Sequence, residues 1–499
     1  MAITDLIGAA DAVPGTTSTT AAVPTAPTTT PTTAPATTTP TTPATTPTSA
    51  PPRATTTTTA PAAPSDPVST SGFSTSSALR DSLAHLFRRA GFGASTARLD
   101  AAVTAGYAAT VETLLIPGDV AADAIAPPTL TQPPTTPPSG VDERTPLVVW
   151  WLQRMAAADT NPLSEKLPWF WHGHLTSDFS EAGYPSLMLL QNQLFRTYGW
   201  GDFPTLIRQV TTDPAMLRYL DLLYSYKTAP NENYARELCE LFVLGRTDAS
   251  GAPPYTEADV EAAAHGLTGW TLDPTHTSVV FSSSRWDSGP KTFLGQTGAW
   301  GTDDIVRIVT HHPAAARRIP ARLWSYFAYP VGPADPVVAE LATTFATELD
   351  ITKLLRRIFN HSAFQSATAR QGKVKTPIEW VVGAYKALGL TPDATTAGWL
   401  RTLLQYPFQP PNVAGWPGNG YWVNTVSALD RVRIAQGIAR IASIPTIVNA
   451  APAARAAAAA ELLGVEAWSP RTATALATVQ NEPPSVLALA LVSPEYTLN

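Results

Sequence analysis

From residue 77 onward, apolar and polar positions recur mostly with helical period, most clearly between Asn231 and Gly245. Tyr234, Leu238 and Leu241 fall at i, i+4 and i+7 and predict a buried stripe, while Asn233, Glu237 and Glu240 line another face. Pro230 and Asn231 supply a turn and an N-cap, and Gly245 suits the residue past the last turn. The same period predicts helices over 77–90, 95–115, 148–155, 164–174, 184–198, 203–211 and 214–223, then a further run between 303 and 491. Thr256 and Asp259 have capping-box spacing at the start of another helix. Only residues 271–300 break the rhythm: 278–282 fits a short strand and 287–295 a loop. The pattern predicts an all-α, or nearly all-α, multi-helical globular domain over 77–499 with one short irregular segment.

Composition sets the amino-terminal part apart. Between Val13 and Gly72 there is no Leu, Ile, Met, Phe, Tyr or Trp. Such a segment cannot bury enough apolar surface to offset its chain entropy, so residues 1–76 are expected to form a disordered Thr/Pro/Ala-rich tail. Residues 127–140 read as a Pro-rich loop within the domain. The net charge is -6, and Lys/Arg residues cluster no further than pairs such as Arg88-Arg89, which argues against a nucleic-acid partner. No apolar run approaches the roughly 20 residues that span a bilayer, so no transmembrane segment is expected. The first positive side chain is Arg53, so the sequence as written shows no signal peptide, while the tail composition suits an extracellular or cell-surface protein. Cys239 stands alone, which rules out an intramolecular disulfide and suits a small buried side chain.

Three constellations carry candidate chemistry. His172 and His174 are candidate ligands for a divalent metal, the one cofactor the pattern suggests. On a continuous helix they point about 200° apart, so they converge only if Gly173 ends the helix; otherwise they pack with Trp169 and Trp171 and bond backbone groups. Glu237 and Glu240, at i and i+3, are candidate catalytic carboxylates, with Arg236 to hold an anion; alternatively Arg236 pairs with a carboxylate while Asn231 and Asn233 cap backbone. Asp287 and Lys291, near Gly289 and Gly295, fit either a site for an anionic or hydroxyl-bearing ligand or a brace for their own loop. The aromatic loop 408–422 fits sugar or partner binding, or closure of a core. Two functions follow: a polar ligand-binding centre performing metal-assisted hydrolysis, or a non-enzymatic helical scaffold or partner protein of the bacterial surface. The residues do not decide whether the chain is an enzyme.

Several blocks occur together in a characteristic order: His85-Leu86-Phe87-Arg88-Arg89-Ala90-Gly91-Phe92-Gly93, Glu165-Lys166 with Phe170-Trp171-His172-Gly173-His174, Asn231 through Gly245, Leu267-Thr268-Gly269-Trp270, Lys291-Thr292-Phe293-Leu294-Gly295, and Lys373-Val374-Lys375-Thr376-Pro377. Over residues 78–498 this order resembles an uncharacterised bacterial family catalogued as domain of unknown function 1800. The resemblance implies a mostly helical fold, frequent export and a protein partner from a sulfatase-like family; it implies no reaction. The chain departs from the family pattern at Trp286 and Phe242, where histidine is usual.

Overall fold

The computed structural model describes residues 76–135 and 139–498. The expected tail therefore lies outside the described residues, except for Ser76, as do residues 136–138 of the Pro-rich loop. Helices follow one another from Ser76 to Thr497, and the strands among the described residues are four segments of three residues each. The fold is thus mostly helical.

The strands form two antiparallel hairpins. Trp270–Leu272 pairs with Val279–Phe281, close to the expected strand. Lys291–Phe293 pairs with Gln296–Gly298, within the stretch read as a loop. The second hairpin exists because Leu294 and Gly295 turn the chain at φ 47° and 76°, and because Asp259 accepts from the Leu294 N–H at 2.7 Å. Asp259 is also the capping partner of Thr256, so one carboxylate starts a helix and anchors a hairpin. The expected helix over 95–115 is two helices, Thr96–Ala105 and Tyr107–Leu114. Gly106, at φ 86°, lies between them in a conformation a side chain would resist.

The Asn231–Gly245 stretch departs most from its pattern. An α-helix spans only Asn233–Glu237 and widens into a π-helix over Leu238–Val243. Glu232, not Asn231, holds the cap position, and Asn231 instead accepts from the Asn233 N–H at 2.9 Å. The widened turn shifts the buried register: Tyr234, Leu238, Cys239, Phe242 and Val243 are buried, whereas Leu241 is only half-buried. Side chains from elsewhere accommodate its carbonyls, with Arg318 donating to Leu241 O at 3.1 Å and His174 bonding Phe242 O at 2.9 Å.

Apolar side chains gather into two cores. One is built from the first helices and residues between about 163 and 364; the other joins 147–155 to the helices after 378. The Leu163–His174 helix belongs to both, giving Leu167, Phe170 and Trp171 to the first and Trp169 to the second. Every residue of it except Gly173 is buried, its charged Glu165 and Lys166 being paired with Arg154, Arg196 and Glu379. Pro168 removes a helical donor, and Arg196 Nη1 reaches the Ser164 carbonyl thus freed, at 3.4 Å.

Candidate functional site

The helix continues through His174, so the two imidazoles leave it in different directions. His172 lies among Trp151, Trp169, Phe408 and Trp416, and its Nε2 accepts from the Phe408 N–H at 3.0 Å. Phe408 has a φ of 62°, and its carbonyl accepts from Phe179 N, so this bond helps to hold a strained residue in place. His174 stacks on Phe170 at 5.5 Å and donates through Nε2 to Phe242 O. Burial pushes His172 down to about 3, and burial with Arg322 and Arg318 pushes His174 well below its ordinary value, so both are neutral. The convergence required for a shared ion is therefore not formed: Gly173 does not end the helix. Among the described residues no group of three or more His, Cys, Asp or Glu is gathered closely enough to hold a metal.

The other expected residues sit apart from these histidines in their bonding. Arg236 pairs with Glu232 at 2.9 Å and Glu257 at 2.8 Å on an exposed surface, and Glu240 pairs with Arg246 at 2.6 Å. Glu237 is raised by partial burial and by the charge of Glu240, and its Oε2 has no hydrogen-bond partner. Asn233 donates to Asp221 at 3.1 Å. Asp287 receives His265 Nδ1 at 2.5 Å and the Gly289 N–H at 2.8 Å, while Lys291 donates to the carbonyls of Asp287 and Gly289. These bonds brace the loop. Cys239 is buried, and burial pushes its thiol up to about 12.

What the structure does bring together lies at the seam between the two cores. Thr376 and Glu379 form a capping box at the start of the Pro377–Leu388 helix, which aims the Glu379 carboxylate back toward the Leu163–His174 helix. There Lys166 Nζ meets Glu379 Oε1 at 2.6 Å, both buried, and Lys373 Nζ lies 4.0 Å from the same oxygen. Lys373 also donates to Tyr326 O. Burial alone would raise Glu379, but Lys166 and Lys373 hold it well below the carboxylate range. Its field also reaches Arg89, Lys375 and Arg431, so one carboxylate serves five buried cations. Burial lowers Lys373 to about 7 despite that carboxylate.

Beside this cluster opens a cleft of about 340 Å³, lined by Trp169, Phe170 and Gly173 of one helix, Arg322 and Tyr326 of the Pro313–Phe327 helix, Lys373, Gln405 and Trp416. Gly415 lets the Trp416 loop reach the helix, since a Cβ there would fall 2.1 Å from Gly173 O. Three of the lining residues leave a buried polar atom without a partner: Arg322 Nε, Tyr326 O–H and Trp416 Nε1. Arg322 has no hydrogen bond or ion pair among the described residues. Of these residues the sequence pattern singled out only Trp416, within the aromatic loop 408–422. The available signals were the capping-box spacing of Thr376 and Glu379 and the two lysines of Lys373-Val374-Lys375, which gain meaning only beside Lys166.

No curated protein and no solved structure matches this chain. A family profile matches residues 85–498, which contain all of the cleft and the buried cations beside it. The chain belongs to the family described as "Protein of unknown function (DUF1800)".

Proposed function

We propose that this protein binds an anionic ligand in the cleft at the seam of its two cores. The observation that carries the reading is the guanidinium of Arg322, which lines the cleft together with Lys373 and has no hydrogen bond or ion pair among the described residues. An unpaired guanidinium beside a lysine calls for an oxygen-rich, negatively charged occupant. The volume falls at the lower end of small-molecule sites, about 300–1,000 Å³. Metal-assisted hydrolysis by Glu237, Glu240 and Arg236, with His172 and His174 as ligands, has less support, because those side chains are engaged with different neighbours.

Thermal unfolding with increasing sodium sulfate tests the reading. A ligand that binds only the folded state raises Tm in proportion to the logarithm of its saturation, whereas exclusion of sulfate from the surface raises Tm in any protein. The wild-type chain is expected to gain more than Arg322→Gln at every concentration. Equal gains in the two overturn the proposal.

A further inference from the structure

The walls of the cleft narrow the anion further, a step that rests on the anion-binding reading. Trp416 is half-buried and lies 4.9 Å from the buried Trp169 at an interplanar angle of 30°. The two rings pack on each other, so Trp416 forms a backed aromatic wall of the cleft. Phe170 and Tyr326, at 5.1 Å and 58°, extend the aromatic lining. Gln405 accepts from the Ile378 N–H with Oε1 at 2.9 Å, and its amide nitrogen has no partner among the described residues. Trp416 Nε1 and the Tyr326 hydroxyl are unpartnered but sealed beneath the surface, so the groups left to meet a ligand are the Gln405 amide and the guanidinium of Arg322, a planar fork suited to a carboxylate or sulfate.

We propose that the occupant is an acidic saccharide, a sugar ring carrying a carboxylate or sulfate group. A pyranose has an apolar C–H face suited to the Trp416 wall, hydroxyl oxygens that accept from the Gln405 amide, and one charged substituent for Arg322. A bare inorganic anion makes no use of the aromatic wall.

Isothermal titration of the full chain with four ligands tests this: a uronic-acid trisaccharide or sulfated disaccharide, maltotriose, inorganic sulfate and adenosine monophosphate. The acidic saccharide is expected to bind about tenfold or more tighter than each of the others. Trp416→Phe, which keeps a ring against Trp169 but removes part of the aromatic face, is expected to weaken the saccharide about two- to tenfold and to weaken sulfate less. Sulfate or adenosine monophosphate binding as tightly as the acidic saccharide overturns the saccharide inference while leaving the anion site standing. Binding by maltotriose alone, or by none of the four, removes both. The ligand comparison on the unmutated chain decides the matter even if the variant does not fold.

Discussion

Lys166 and Glu379 meet at 2.6 Å with neither side chain reaching solvent, and the pair ties the Leu163–His174 helix to the start of the Pro377–Leu388 helix. Replacing Glu379 by Gln leaves Lys166 and Lys373 without their carboxylate, and breaking such a buried pair costs about 3–5 kcal/mol. Urea unfolding should show that loss for Glu379→Gln, and a smaller one for the double change Lys166→Met/Glu379→Leu, which removes both charges together.

Lys373 gives the anion site a pH dependence. Its folded value is about 7, against about 10.4 for an unfolded lysine. Between those values the unfolded chain holds a proton that the folded chain lacks, so this group makes stability rise with pH across that window. Bound anion favours the charged ammonium, so anion affinity should fall as pH rises through about 7. Titrations between pH 6 and 9 check this, and Lys373→Met should flatten the profile. A wild-type affinity that does not change over this range would count against Lys373 as a ligand-facing cation.

The close approach at Gly415 predicts a sharp steric effect. A methyl group there falls 2.1 Å from Gly173 O, at a backbone φ of 78°. Gly415→Ala must displace the Trp416 loop from the helix, and should weaken ligand binding in the cleft while lowering stability by about 1–3 kcal/mol through the strained conformation. Titration calorimetry and denaturant unfolding of the variant measure the two effects separately.

His174 serves the widened helical turn. His174→Phe keeps the ring stack on Phe170 but leaves the Phe242 carbonyl without its donor, a loss of about 1–3 kcal/mol. Hydrogen exchange should quicken over 238–245 in the variant. Elemental analysis of the wild type beside His172→Ala/His174→Ala should show the same metal content, since the two rings bond different partners.

Asp287 belongs to stability at low pH and not to the cleft. Partial burial would raise its carboxyl, but the Gly289 N–H, His265 and Lys291 together hold it below the ordinary range. Its contribution is therefore present above the unfolded value of about 3.9 and lost as pH falls through the lower folded value. Asp287→Asn should flatten the acid limb of the stability profile, with ligand affinity at neutral pH unchanged.

The sequence by itself determined the helices and many of their ends, because those depend on neighbours in the chain: Thr256 with Asp259, the apolar period of 203–211, the proline at the start of the Pro336–Glu348 helix. The joint order of its blocks determined the family. Only tertiary structure decided the rest. Leu238–Val243 widens into a π-turn where Arg318 and His174, distant in sequence, reach its carbonyls. His172 and His174 part because the helix between them does not stop at Gly173. The charge at the seam was illegible in any single stretch, since Lys166, Tyr326, Lys373 and Glu379 come from three separate parts of the chain. Their meaning arises when two cores close on one another and leave a single carboxylate among five cations, an imbalance that exists only where water has been excluded.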